Sequence, residues 1–287
     1  MLRVDLNALR GIEMINFVTR IGCILLIALP SSAALAADVP APQPAVPAAA
    51  ASVRAYDIVM EVGAGGQVRP AYEGAKAYEF GPTGFVTLHQ LWLPWFGSVK
   101  DGRPKEGWSF GPSFRYLSGR ESSEYAQLRG LNDIDAAFEV GAKVSYTFGM
   151  FRPSVAIRQG FGGHSGIVGE AAFDAVLYPT AATEFTIGPR VSFANGEYMR
   201  TYFSVSPVES ASSGLLVYDA GGGIKGMGVE LTGRYRFTEQ WALASSFGYE
   251  KLMGDAKDSP IVRTGDDDQF SAKLGLTYTF GLKLFTD

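Results

Sequence analysis

Few side chains in this 287-residue sequence have types and spacings that could do chemistry, and its two histidines are the first to consider. His164 is followed by Ser165 within the glycine-rich stretch 160–166, GFGGHSG. A nucleophile and its base must lie within hydrogen-bonding distance, whereas adjacent residues of a strand point to opposite faces. No acidic residue is placed beside this pair, so the sequence favours a glycine-rich turn over a catalytic Ser–His pair.

Three other motifs resemble binding sites without meeting their requirements. His89 has no histidine, cysteine or carboxylate at a spacing that would ligate a metal. The stretch 221–226, GGGIKG, matches G-x-G-x-x-G, but a dinucleotide site needs a strand before it and a helix after it, and here an alternating strand follows. The acidic stretch 265–270, GDDDQF, lacks the ligand spacing of an EF-hand, which leaves a solvated loop or weak binding of divalent cations. We therefore expect no catalytic residue, no cofactor, no metal site and no enzymatic activity.

The strongest pattern in the sequence is structural. Residues 135–148, DAAFEVGAKVSYTF, place apolar side chains at every second position and polar, charged or small ones between them. A period of two indicates a β-strand, because successive side chains leave opposite faces of the pleat. The stretch is also roughly twice the usual five or six residues of a strand in a globular protein. It therefore predicts a long strand with one apolar face and one polar face.

This alternation recurs to the end of the chain, and the connections between the alternating segments are unequal. The segments, the first three being clearest, are 183–193, 227–237, 269–280, 56–66, 108–116, 151–159, 166–178 and 241–250. Short connections lie near 148–150, 178–183 and 238–240, and long loops cover about 117–134, 194–225 and 251–267.

Long strands joined by alternating short turns and long loops are typical of barrels in outer membranes. The predicted fold class is all-β: an antiparallel up-and-down transmembrane β-barrel of about 10–12 strands, with short periplasmic turns and longer extracellular loops. The turns indicate ten strands. The number rises to twelve if residues 76–99, which Pro82 and Pro94 interrupt, form two further short strands. No edge should remain open, because unpaired backbone groups in hydrocarbon cost several kcal/mol each.

The apolar face of the strands is predicted to contact lipid, and the charged face to line the barrel interior. Aromatic residues cluster at the strand ends, where the interfacial girdles of a membrane barrel lie. Charges of both signs are interleaved in nearly equal number on the inward face, which predicts a filled lumen and leaves open a narrow path through it. The predicted lumen charge network is Arg115, Glu139, Lys143, Arg158, Glu170, Asp174, Glu184, Arg190, Glu230, Arg234, Arg236 and Lys273.

The amino terminus predicts export and divides the chain into three parts. A basic flank, the apolar run IGCILLIALP and small residues ending at Ala36 indicate a cleavable signal peptide over 1–36. Residues 37–55 are rich in proline and alanine, which predicts an extended periplasmic spacer, and residues 56–287 are predicted to form the barrel. The formal net charge of −4 does not favour binding to nucleic acid.

Three long stretches resemble the MipA/OmpV family. They are RGLNDIDAAFEVGAKVSY at 129–146, GPRVSFANGEYMRTYFSVSPVESASSGLLVYDAGGGIKG at 188–226, and YEKLMGDAKDSPIV at 249–262. The resemblance covers about residues 56–280 and implies a barrel of the Gram-negative outer membrane with no established catalytic residues. It also implies a scaffold role, since the best-known member is described as joining a lytic transglycosylase to a murein synthase. Other members are described as surface antigens or adhesins.

The leading hypothesis is therefore a scaffold or interaction protein of the cell outer membrane, in contact with lipid and lipopolysaccharide. Its expected partners are a lytic transglycosylase and a murein synthase. The rivals are a narrow channel for small solutes and a surface adhesin or antigen. In the loop 194–225, the apolar Met199, Tyr202 and Phe203 either contact a ligand or partner or fold inward to cap the barrel mouth. Phe280 or Phe285 closes the last strand, and the alternation favours Phe280.

Overall fold

The structure, a computed structural model, describes residues 3–4, 56–93, 97–100 and 106–284. Ten long strands make up the body, and two short ones accompany them. The strands are β1 (Arg3–Val4), β2 (Ile58–Pro70), β3 (Tyr78–Leu93), β4 (Gly97–Lys100), β5 (Gly107–Leu117), β6 (Ala137–Thr147), β7 (Phe151–Gly162), β8 (Ile167–Thr180), β9 (Thr183–Ala194), β10 (Gly223–Arg236), β11 (Trp241–Leu252) and β12 (Asp268–Leu282). The all-β fold class predicted from the sequence is confirmed.

The strands form one antiparallel sheet in the order of an up-and-down barrel. Consecutive strands pair from β5 to β12, and the sheet curls so that β12 pairs with β2, which in turn pairs with β3. Phe280 lies within β12 opposite Met60, and the last strand continues past Phe280 to Leu282. Phe285 lies outside the described residues.

The sequence predicts a sheet with no open edge, and the structure departs from this prediction at one place, the seam between β3 and β5. Among the described residues no pairing joins these two strands, because the end of β3 pairs with the short β4 instead. Residues 76–99 therefore supply one long strand and one short one, and the number of long strands is ten. Pro82 lies inside β3 opposite Gly66, where the described part of the chain places no strand on the other side of β3. A proline is tolerated in such an edge, since its missing N–H breaks no ladder bond there.

The two faces of the strands follow the predicted alternation. In β6, Phe138 is 58% exposed and Val140 is 42% exposed, whereas Glu139 between them is completely buried. The same holds in β7, where Ile157 is 59% exposed beside the buried Arg158. A long sheet with an exposed apolar face and buried charges is the inverse of a soluble sandwich, and it is the arrangement that lipid requires.

Aromatic side chains form two bands on the outer face. At the end with the short turns, neighbouring rings lie 5.0–6.2 Å apart from Trp108 through Tyr146, Phe148 and Phe151 to Phe173. At the opposite end, the ring centroids of Tyr116 and Phe138 are 5.3 Å apart and those of Tyr249 and Phe270 are 5.0 Å apart. Bands at both strand ends correspond to the two interfaces of a bilayer, where amphipathic rings are favoured.

The long loops all lie at one end of the strands, and they fold into short helices that the alternation pattern did not predict. These are α1 (Gly196–Phe203), α2 (Pro207–Ser213), α3 (Gly254–Asp258) and α4 (Pro260–Thr264), with two 3-10 helices at Ser122–Glu124 and Ala126–Leu128. We call the loops 71–77, 118–136, 163–166, 195–222 and 253–267 together the roof. No helix in the described ranges has the length and apolar composition needed to cross a bilayer.

Local capping explains why the loop 195–222 is helical. The Asn195 side chain accepts a hydrogen bond from the backbone N–H of Tyr198 and so begins α1. Ser206 and Glu209 form a reciprocal capping box at the start of α2, which has Pro207 in its first turn. Gly214 ends α2 with φ of +77°, a left-handed conformation that favours glycine. These signals are present in the sequence but are too short to produce a helical stripe.

The roof has a hydrophobic core of its own. Tyr198, Met199 and Phe203 of α1 are buried against Leu252 at the end of β11 and Val262 of α4. Burial of one such side chain contributes about 1.5–3 kcal/mol. The loops are therefore packed into a compact cover over one end of the strands.

The hydroxyl of Ser259 connects two of the roof loops. It donates to the Phe203 carbonyl at 2.6 Å and accepts from the N–H of Ile261. One buried side chain thus ties the end of α1 to the start of α4.

The predicted signal peptide and spacer lie outside the described residues, apart from the two residues of β1.

We expect Ile157→Arg to destabilise the barrel, because Ile157 lies near the middle of β7 on the outer face. An arginine at the bilayer midplane of a membrane barrel costs about 2–4 kcal/mol. Urea unfolding in phospholipid vesicles, followed by heat-modifiable gel mobility, measures this loss, and Ile157→Leu is the matched control. An arginine variant as stable as the leucine variant would mean that this face does not contact lipid.

Candidate functional site

Beneath the roof, buried charged side chains meet around Glu139 of β6. Its carboxylate accepts hydrogen bonds from Arg115 Nε at 2.8 Å and Arg115 Nη2 at 2.6 Å, which is a two-pronged contact. Arg158 Nε donates to the same carboxylate at 2.9 Å, and Arg158 Nη1 donates to Ser113 Oγ at 3.1 Å. Because Glu139 is completely buried and binds two guanidinium groups, its negative charge is fully compensated inside the sheet.

His164 joins this group from the roof rather than forming a catalytic pair. Its Nε2 lies 3.4 Å from Glu139 Oε1, and its Nδ1 accepts from the backbone N–H of Gly166. Ser165 is exposed while His164 is buried, so the two side chains do not meet. Gly160 makes room for the imidazole, since a Cβ at that position would lie 2.1 Å from the ring.

Tyr198 and Tyr202 of α1 pack on His164 from above. The ring centroids of Tyr198 and Tyr202 are 4.9 Å and 5.6 Å from that of the imidazole. Burial raises the pKa of both phenols, so they remain neutral donors at physiological pH. The histidine is thus enclosed by aromatic rings and is out of reach of a substrate.

A second ionic group ties the roof to the strands. Lys225 Nζ donates to Glu73 Oε1 at 2.7 Å and lies 3.5 Å from Glu250 Oε2. The Tyr198 hydroxyl donates to the same Glu73 oxygen at 2.7 Å. Burial alone would raise the pKa of Glu73, but the Lys225 ammonium and the Arg115 guanidinium hold it below its ordinary value. Glu73 is therefore an anion that links the β2–β3 loop to α1 and β10.

Two further groups lie along the interior. Arg190 is within 4 Å of three carboxylates, with Asp174 Oδ1 at 2.5 Å, Glu230 Oε2 at 3.2 Å and Glu170 Oε1 at 3.9 Å.

Glu61 is the centre of the other interior group. Its carboxylate contacts Arg234 and His89, each at 2.6 Å. His89 therefore has a carboxylate partner after all, which the sequence spacing did not reveal because Glu61 lies on the neighbouring strand.

The predicted lumen charge network separates into members with ion pairs and members without them. Eight of its residues take part in the contacts just given: Arg115, Glu139, Arg158, Glu170, Asp174, Arg190, Glu230 and Arg234. Arg236 donates to the Ala181 carbonyl in a short turn. For Lys143, Glu184 and Lys273, the described part of the chain supplies no opposite charge within 4 Å.

Met199, Tyr202 and Phe203 occupy the roof core. Met199 and Phe203 are completely buried, and Tyr202 is 6% exposed. Their side chains are therefore not available to a ligand, and they cap the barrel mouth as in the second of the two alternatives.

Sequence reasoning missed several charged residues of this site for identifiable reasons. Glu73 and Arg120 lie in loops, where alternation assigns no face. Lys225 lies two residues before the outward Met227, so alternation would point its side chain to lipid. A register shift between Ile224 and Gly226 turns the side chain inward instead, and it is 3% exposed. A bulge of this kind reverses the face of the residues beyond it. Gly226, together with the three glycines at 221–223 before Ile224, was the available signal.

The acidic stretch 265–270 is neutralised by its neighbours. Asp266, Asp267 and Asp268 lie close enough to one another to suggest a cation site. However, Asp267 is 3.2 Å from Lys251 and 3.3 Å from Lys257, and Asp268 is 3.0 Å from Lys251. The loop is therefore held by ion pairs with lysines.

The site as a whole connects the roof loops to the strands of the barrel wall. Most of its buried charged groups are paired acids and bases, as at Glu139, Arg190 and Lys225. Arranged in this way, these groups anchor the roof loops and fill the barrel interior, and their opposite charges stabilise the packing.

We expect Glu139→Gln to destabilise the folded barrel by about 3–5 kcal/mol, because Arg115 and Arg158 would keep buried charges without a counterion. Urea unfolding in vesicles measures the change. Glu184→Gln is the matched control, since Glu184 has no ion pair within the described residues. Equal stability of the two variants would contradict the compensating role of Glu139.

His164 should make the barrel less stable in acid. Burial, assisted by Arg115, lowers its pKa despite the nearby Glu139, so the folded protein binds this proton more weakly than the unfolded chain does. Its contribution is complete above the ordinary histidine pKa of about 6.5 and is lost as the pH falls through that value. His164→Gln should flatten this decline between about pH 7.5 and pH 5.5 in unfolding measurements, whereas His89→Gln should retain it. An unchanged slope in His164→Gln would refute the assignment.

Solved structures with a similar arrangement are outer-membrane proteins of low sequence identity. An outer membrane channel from Pseudomonas putida F1 is 11% identical, with 78% of this chain and 96% of that chain covered and a TM-score of 0.43. A bacterial polysaccharide outer membrane secretin is 10% identical, with 78% and 99% covered and a TM-score of 0.38. The outer membrane protein OprG from Pseudomonas aeruginosa is 10% identical, with 79% and 97% covered and a TM-score of 0.31. At these scores, no inference about function follows.

A search of curated proteins finds no match to this chain. By contrast, residues 62–280 match the family model described as MltA-interacting protein MipA. The match spans well over half of the chain and includes every long strand at least in part. It confirms the resemblance seen in the loop sequences. The chain belongs to the MipA family of MltA-interacting proteins.

Proposed function

We propose that this protein is a non-enzymatic scaffold or interaction protein, exported to the outer membrane of the cell. The observation that carries the proposal is the packed and ion-paired interior beneath a roof with its own hydrophobic core. Such an interior provides stability rather than a wide path for solutes. Contacts with other proteins would then be made by the two ends of the barrel.

The end with the short turns is the proposed docking surface for murein enzymes. The family description names an interaction with MltA, and scaffolding of a lytic transglycosylase and a murein synthase requires contact from the periplasm. The turns at 148–150, 181–182 and 237–240 lie together at this end, and Glu239 is exposed there.

A second candidate function, contact with other surfaces through the roof, is favoured by one specific observation. Val208 and Leu216 are each 76% exposed and Val217 is 58% exposed. By contrast, Met199 and Phe203 of the same loop are completely buried. Exposed apolar side chains grouped on one loop are more typical of an interaction surface than of a solvated one. A surface adhesin or antigen would use this face.

Site-specific photo-crosslinking in living cells tests the proposal. A photoreactive phenylalanine derivative at Glu239 should capture a lytic transglycosylase or murein synthase, because this turn faces the periplasm in the proposed orientation. The same derivative at Leu216 is the matched control and should capture neither enzyme. Mass spectrometry of the crosslinked bands identifies the partner.

The outcomes separate the two candidates. Murein enzymes captured at Glu239 alone support the scaffold. Capture of host or neighbouring-cell components at Leu216, with none at Glu239, supports the surface-contact role. Capture of murein enzymes at neither position would overturn the scaffold proposal.

A further inference from the structure

A cavity of about 350 Å³ lies inside the barrel between the lumen charges and the roof. Its volume falls within the range of about 300–1,000 Å³ that is usual for small-molecule sites. Seven cationic side chains line it, against four carboxylates. The charge balance predicted for the lumen as a whole therefore does not hold in this part of it.

Four of the seven cations already contact a carboxylate. Arg115 and Arg158 bind Glu139, Arg190 binds three carboxylates, and Lys225 binds Glu73. These groups form the fixed wall of the cavity. They leave little capacity for a further anion.

The remaining three, Arg69, Arg120 and Lys273, have no carboxylate within 4 Å in the described ranges of the chain. Arg69 and Lys273 lie on the paired strands β2 and β12, two residues apart in register, and both face inward. Like charges at such diagonal positions repel each other, because they are within reach of one another across the ladder. An anion between them would remove this repulsion.

The carboxylate that lies opposite Arg69 in the sheet forms no ion pair with it in the described residues. Glu79 lies opposite Arg69 in the pairing of β2 with β3, but its carboxylate accepts a hydrogen bond from the Tyr125 hydroxyl. Arg69 itself donates to the Ser118 hydroxyl, a neutral partner in the roof. Its guanidinium charge is therefore oriented toward the cavity without being neutralised.

Arg120 supplies an unsatisfied donor at the roof side of the same cavity. It is 6% exposed, and its Nη1 donates to the Tyr202 carbonyl at 3.1 Å. Its Nε is buried and has no hydrogen-bond acceptor among the described residues. A buried donor without an acceptor is unfavourable, and arginine is well suited to bind oxyanions through its planar fork.

We propose that this cavity binds a small oxyanion of the phosphate class, held by Arg69, Arg120 and Lys273. A tetrahedral oxyanion offers several acceptors at once, which matches a cavity lined by cationic donors from two strands and one loop. The bound anion would also tie the roof to β2 and β12. This inference goes beyond the proposed scaffold role and does not depend on it.

Isothermal titration calorimetry on the refolded barrel in detergent micelles tests the site with inorganic phosphate. Sodium chloride at equal ionic strength gives the non-specific reference. Wild type should bind one phosphate, and Lys273→Gln should weaken binding about tenfold or more, as expected for loss of one charge-assisted contact. Lys143→Gln is the matched control, because it removes an inward ammonium that does not line the cavity, and it should leave the affinity unchanged.

A second arm with glucose 1-phosphate distinguishes the source of the phosphate group. Tighter binding than that of inorganic phosphate assigns the cavity to phosphorylated solutes, and equal binding assigns it to the phosphate group alone. Heat-modifiable gel mobility verifies that each variant is folded, and Arg69→Gln replaces Lys273→Gln if the latter fails to fold. Absence of phosphate binding by wild type, or equal weakening in Lys143→Gln, would overturn the proposal.

Discussion

Within hydrocarbon, every peptide N–H and C=O needs a partner from the protein itself, because lipid offers none and each unpaired group costs several kcal/mol. Here the need is met by one antiparallel ladder that runs from β5 through β12 to β2 and β3. The ladder also sets the chemistry of both surfaces. Since successive side chains leave opposite faces, apolar residues that face lipid place their charged neighbours inside.

The inward-facing charges create a second requirement, because each buried charge needs a nearby group of opposite charge. An isolated buried charge is strongly unfavourable, whereas a carboxylate between two guanidinium groups is stable, as at Glu139. The roof contributes to this compensation, since Glu73, Tyr198 and His164 reach down from loops to meet Lys225, Arg115 and Glu139. The ionic interior and the packed loops therefore depend on each other.

The buried charges are incompletely compensated on one side of the interior. This asymmetry separates a possible role of the barrel ends from a possible role of the interior. The groups around Glu139, Arg190 and Glu61 consist of charged side chains that already have partners of opposite charge. The side formed by β2 and β12 keeps cations that the described chain does not neutralise. The interaction named in the family description supports the proposed role of the barrel ends. The cationic cavity is a separate property of the interior.

The sequence by itself determined the strands, the faces of Phe138 and Glu139, and the loops, because a period of two is a local property of the chain. Three things depended on the tertiary structure. The bulge before Gly226 turned Lys225 inward against its parity. The pairing of β2 with β3 brought Glu61 to His89, and the curl of the sheet brought it to Arg234 of β10. The folding of α1 decided that Met199 and Phe203 are core residues rather than contact residues. Each of these depends on residues distant in sequence, whose proximity is set by strand pairing and loop packing and not by local alternation.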